Sequence, residues 1–126
     1  MLAEYADIDI ALDPFPYTGC LSTLEALWMG VPVIALEGQL SIARQSAAIL
    51  RRLGLAELVA GTEQSYEALA RSLAGDRQRL ETLRAELRPR MAASPVCDGE
   101  AVARAAEVAF RSLWRRWCET GAARRD

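Results

Sequence analysis

The sequence predicts an α/β fold: about three parallel strands in the order βαβαβ, followed by a helical C-terminal segment. Three observations predict it. Short apolar runs alternate with stretches of helical period up to about residue 61. Glycines stand where those helices must stop, at Gly30 and Gly54. Beyond residue 61 only helical periodicity remains. Consecutive βαβ units imply parallel strands with right-handed crossovers.

The first strand is read from Ile8, Ile10 and Leu12, which alternate with Asp9, Ala11 and Asp13. Pro14 and Pro16 forbid both helix and central strand, so the chain must leave the sheet there. A helix follows over about 22–29, closed by Gly30. Val31 to Leu36 is nearly all apolar and β-branched, as expected of a strand covered on both faces. A second helix spans 42–53, with Ile42, Ser46, Ile49, Leu50 and Leu53 on its inner side. Leu58 to Ala60 reads as a very short third strand.

Thr62 and Asp76 are placed to cap two further helices. The inner face of the first is Tyr66, Leu69, Ala70 and Leu73, and that of the second Leu80, Leu83, Leu87 and Met91. Pro89 should kink the latter or end its regular part. The run AASPVCDGE is a linker by composition. The last helix covers about 100–119, with Val102, Ala106, Ala109, Leu113 and Trp117 as its apolar stripe. Residues 1–61 and 62–126 thus form the two parts of one domain.

Bulk properties remove several function classes. The chain has 126 residues and a formal charge of -2, so no basic field argues for nucleic acid. All 15 basic residues are Arg; there is no Lys, the common phosphate ligand, and no His, the usual general base. Cys20, Cys97 and Cys118 match no metal or disulfide spacing and are expected to be free, buried thiols. No stretch approaches the roughly 18 apolar residues of a membrane span, and Met1 to Asp9 has neither the basic start nor the apolar run of a signal peptide. A cytoplasmic protein with no membrane or nucleic-acid partner and no metal is the expectation.

The stretch DPFPYTGCLSTLEALWMGVPV, Asp13 to Val33, carries the chemistry. In parallel sheets, ligands bind beyond the carboxyl ends of strands, where helix N-termini present free amides and a positive dipole end. Gly19 permits close approach, Ser22 and Thr23 offer hydroxyls, and Glu25, one turn in, could accept from the vicinal hydroxyls of a ribose. A second reading fits the same residues: Ser22 and Glu25 have the spacing of a capping box, each satisfying the other's backbone amide. Trp28 fits the core better than a stacking platform, while Tyr17 lies beside the candidate pocket.

The strings DIALDPFPYTG and EALWMGVPV resemble the C-terminal glycosyltransferase region of the TPR-linked protein O-GlcNAc transferases, the SPINDLY-like family. The likeness continues in order through ARQSAAILRRLGLAELVA, YEALARSLAGD, RLETLRAELRPRMAASPVCD and LWRRW. It implies the C-terminal half of a GT-B Rossmann-like domain, and metal-independent transfer of N-acetylglucosamine from UDP to Ser or Thr of an acceptor protein. No cofactor is implied beyond the donor itself, UDP-GlcNAc or a related nucleotide sugar. The resemblance puts the family's diphosphate loop on Gly19, Cys20, Ser22 and Thr23, and its ribose-binding acid on Glu25. Cys20 and Leu21 interrupt what is usually a run of threonines. A donor-contacting His of the family falls on Met1, and its catalytic Lys has no counterpart, so no catalytic residue is assigned. The resemblance implies a fragment, catalytically incomplete alone; the alternative is a degenerate, non-catalytic binding module. Trp114 and Trp117 would pack either on the preceding helices or on a further lobe.

Overall fold

The computed structural model describes residues 2–122. A 3-10 helix, Leu2–Asp7, precedes strand β1, Ala11–Leu12; helix α1, Leu21–Trp28, leads to β2, Val33–Leu36. A 3-10 turn, Ser41–Arg44, runs into α2, Gln45–Arg52, and β3 is Val59–Ala60. Helices α3, Glu63–Ala74, α4, Arg77–Ala92, and α5, Gly99–Ala122, follow. The strands form a parallel sheet in the order β1-β2-β3, with Ala11 opposite Val33 and Ala35 opposite Val59. β1 is shorter than the apolar alternation from Ile8 suggests. Its ladder with the β2 side starts at Ala11, whose N–H donates to Pro32 O at 2.9 Å, and ends at Asp13, whose N–H donates to Ile34 O at 3.0 Å.

β2 is the centre of the sheet, and α1, α2 and α3 all pack against it. Val33, Ile34 and Ala35 are buried together with Leu27, Leu50, Leu55, Leu83 and Leu87 in one hydrophobic core. This double covering is what a continuous β-branched run requires. Trp28 packs against that core, and the Arg88 guanidinium lies 4.9 Å above its ring. Both anticipated N-caps form: Thr62 with Ser65 makes a reciprocal capping box, and Asp76 accepts from Arg79 N–H at 2.9 Å. α4 continues through Pro89 to Ala92, with Leu87 and Met91 buried on either side of the proline. The three cysteines are free, as expected, but exposed rather than buried: Cys20 lies at the α1 entry, Cys97 in the linker and Cys118 on the polar-rich α5.

At the carboxyl end of β2, Glu37 ties the sheet to α2. Its Oε1 accepts from Arg51 Nη1 at 2.7 Å and from Arg44 Nε at 3.1 Å, while Oε2 accepts from Arg51 Nη2 at 2.6 Å. The forked bond from Arg51 is the main cause holding the Glu37 carboxyl down at about 2, against an ordinary 4.5. Between those values the unfolded chain binds more protons than the folded one, so stability rises with pH through that window and is lost as pH falls toward 2. Glu37→Gln should therefore lower Tm by a few degrees at pH 7, and the gap from the parent should close between pH 4.5 and 2. Melting curves recorded across that range check it; a gap independent of pH would contradict the assignment.

The chain divides into two compact units, Met1–Val96 and Cys97–Asp126. The second holds α5, which starts and ends slightly beyond the span read from the sequence. Within it the Trp114 and Trp117 rings stack, 5.1 Å between centroids and 23° between planes.

Candidate functional site

The loop between β1 and α1 begins at Asp13, and Pro14 with the cis Phe15–Pro16 peptide carries it away from the sheet. It returns through Thr18 and Gly19 to α1, whose N-cap is Cys20. Ser22 is therefore the second helical residue, not the cap, and the Ser22–Glu25 capping box does not form; no side chain caps this helix. The first helical hydrogen bond runs from Leu24 N–H to Cys20 O at 3.1 Å. The amides before it have no intrahelical acceptor, and they open at the carboxyl end of a parallel strand. Cys20, Leu21 and Ser22 are exposed there, Gly19 and Glu25 half-buried, and Thr23 buried. Tyr17, beside the mouth, is 70 % exposed.

Behind the mouth lies a buried polar cluster. Asp13, 4 % exposed, accepts through Oδ1 from Gly19 N–H at 2.9 Å. The Gly19 carbonyl accepts from the Thr23 hydroxyl at 3.0 Å and from the Ser46 hydroxyl of α2. Thr23 Oγ1 also lies 2.9 Å from Ser46 Oγ and 3.4 Å from Asp13 Oδ1. Thr18 donates to Ile42 O at 2.7 Å, joining the loop to the turn before α2. Tyr66 of α3 donates to Asp13 O at 2.9 Å, and its ring meets Phe15 edge-on at 5.7 Å. Burial pushes the Asp13 carboxyl above its ordinary range, opposed by the Gly19 amide and by the hydroxyls of Ser46 and Thr23. Tyr66 is raised too, by burial first and then by the Asp13 charge.

Position 19 is tight and favours glycine. A Cβ there would run into Ser22 Oγ and come within 3.1 Å of Asp13 Oδ1 and 3.2 Å of Thr23 Oγ1. On one flank of the mouth, a pocket of about 220 Å³ is lined by Tyr5, Asp13, Pro14, Ser22 and Thr23 among others. A larger one, about 440 Å³, lies across the ends of all the strands, between Phe15, Glu37, Leu40 and Thr62. Among the described residues, no group of three or more His, Cys, Asp or Glu could hold a metal ion, and no helix is long and apolar enough to cross a membrane.

Of the residues singled out in the sequence, Gly19, Cys20, Ser22 and Thr23 come together at the mouth, with Glu25 one turn along α1. Thr23 differs from expectation in one respect: its hydroxyl is engaged inward. Sequence reasoning missed Asp13 and Tyr66 as parts of this arrangement. Ser46 had a signal, being the single polar residue on the inner side of α2. Asp13 had a weaker one, an acid directly between an apolar strand and two prolines.

A parallel sheet with an uncapped helix mouth at its carboxyl edge is the place where α/β proteins commonly bind ligands. Residues 5–105 match the model of glycosyl transferase family 41, and the chain belongs to that family. It is 46% identical to the probable UDP-N-acetylglucosamine–peptide N-acetylglucosaminyltransferase SPINDLY of Hordeum vulgare, over 94% of this chain and 12% of that protein. The identity to its counterpart from Arabidopsis thaliana is 41%, over 94% and 13%. The fold superposes on a solved mutant of the Thermobaculum terrenum O-GlcNAc transferase with a TM-score of 0.87 at 43% identity, covering 95% of this chain and 23% of that one. That likeness places the three-stranded sheet and its helices in the C-terminal half of a GT-B domain. The chain spans about an eighth of the length of the curated relatives it matches.

Proposed function

We propose that this chain supplies the diphosphate- and ribose-binding part of a donor site, for transfer of N-acetylglucosamine from UDP to Ser or Thr of an acceptor protein. The observation that carries it is the open first turn of α1: exposed residues, no capping side chain, and a position at the carboxyl edge of a parallel sheet. Amides so placed stabilise the charge that builds on a departing diphosphate, without a metal. In this reading Gly19 gives the phosphates room, the amides of Cys20 to Thr23 bind them, and Ser22 Oγ adds a hydrogen bond. Glu25 accepts from the ribose hydroxyls. None of these residues attacks or moves a proton, and the chain carries no assigned catalytic group.

One observation favours a second reading, a non-catalytic binding module. Thr23 Oγ1 is engaged inward and Leu21 is exposed, which leaves Ser22 as the one hydroxyl of the mouth among Gly19–Thr23. Incubating the full-length protein with UDP-N-acetylglucosamine labelled in the sugar separates the two. Label on Ser or Thr of a protein acceptor supports the transferase. Saturable UDP binding with no transfer to any acceptor protein supports the module, and absence of UDP binding overturns both.

A further inference from the structure

The inner surface of the mouth is more elaborate than a helix start needs. Both backbone polar groups of Gly19 are held from within: its N–H by Asp13 Oδ1, and its C=O, which shares a peptide plane with the Cys20 amide, by Thr23 Oγ1 and Ser46 Oγ. Three separate elements converge there, the end of β1, the first turn of α1 and the first turn of α2. Asp13, Thr23 and Ser46 are all at most 4 % exposed, and their polar atoms meet one another and the Gly19 backbone. Asp13 Oδ2 is buried with no hydrogen-bond partner among the described residues, a cost that this placement carries.

We propose that Asp13, Thr23 and Ser46 are positioning residues: they fix the orientation of the Gly19 peptide, and through it aim the amides of Cys20, Leu21 and Ser22 outward at the diphosphate. This rests on the donor-site reading above. The mouth is also tied to the turn before α2, since Thr18 donates to Ile42 O at 2.7 Å. Thr23 then acts through its buried hydroxyl and not by touching the donor. Preset amides need no reorganisation when charge arrives, which is where such a site gains over mobile hydroxyls.

The test uses the full-length protein and four variants. Thr23→Val keeps the shape and removes the hydroxyl; Thr23→Ser keeps the hydroxyl; Ser46→Ala removes the second one. Thr23→Val and Ser46→Ala should each raise donor KM about tenfold, leave acceptor KM within twofold, and speed amide hydrogen exchange in the Gly19–Thr23 segment. Thr23→Ser should stay within twofold of the parent on all three. A purely structural role predicts otherwise: lower Tm with unchanged donor KM, or equal effects of Val and Ser at position 23, and either result overturns the proposal. Glu25→Ala serves as the reference for the donor site itself. If it raises donor KM while Thr23→Val and Ser46→Ala do not, the positioning role fails and the donor site stands. If none of the variants changes donor KM, the donor-site reading fails and the positioning role with it.

Discussion

Glu25→Ala is expected to raise the donor KM of the full-length enzyme by roughly ten- to a hundredfold while leaving Tm within about 2 °C of the parent. The size follows from a hydrogen bond to a charged acceptor, worth about 1.5–3 kcal/mol, each 1.4 kcal/mol being tenfold in binding. The absence of a stability effect follows from the helix start. Had Glu25 closed a capping box with Ser22, its loss would cost about 0.5–2 kcal/mol of stability. α1 instead begins at Leu21 behind an N-cap of Cys20 with no side-chain bond, so Glu25 holds no cap to lose. Donor and acceptor KM, kcat and Tm measured on the same preparation check both halves. A fall in Tm at unchanged donor KM would return Glu25 to a structural role.

Gly30→Ala is expected to cost about 2–4 kcal/mol of stability, lowering Tm by about 10 °C. Gly30 closes α1 at φ 82°, a left-handed conformation that an L side chain enters at a cost of about 1–2 kcal/mol. Its N–H donates to Leu27 O at 3.1 Å, and Val31 N–H reaches back to Ala26 O at 2.8 Å, so the turn satisfies two of the last helical carbonyls. An added Cβ would also lie 2.8 Å from the backbone O of Arg84, where α4 crosses. That oxygen belongs to a helix backbone, so relief requires moving α4 and its buried Leu83 and Leu87. Against a total of about 5–15 kcal/mol this is a large loss. Thermal and urea denaturation of the variant measure it; a Tm within 2 °C would mean that α1 and α4 are not held this tightly.

Much of this fold is legible in the sequence because its signals are local. Gly30 and Gly54 mark left-handed caps, and both have positive φ. Thr62 and Asp76 mark N-caps by side-chain chemistry alone. The β-branched run before Leu36 announces a strand covered on both sides. The short extents of β1 and β3 are less legible, since pairing depends on what lies across the sheet and not on alternation within one strand. The site divides the same way. Gly19, Cys20 and Ser22 are adjacent in sequence and arrive together at the mouth, whereas Ser46 lies 27 residues from Gly19 and meets it only through the packing of α2. The direction of the Thr23 hydroxyl was hidden in part for that reason: besides the local Gly19 carbonyl, its partners are Asp13 and Ser46, brought in by tertiary contact. The capping-box spacing of Ser22 and Glu25 misled because a helix start can shift by a residue or two without changing the pattern.

The central claim is that the first turn of α1 seats a diphosphate. A crystal structure of the full-length protein with UDP tests it most directly. The account predicts phosphate oxygens within hydrogen-bond distance of the amides between Cys20 and Thr23, with the ribose hydroxyls on the Glu25 carboxylate. UDP bound elsewhere, with the Gly19–Glu25 segment free of phosphate and ribose contacts, would contradict it.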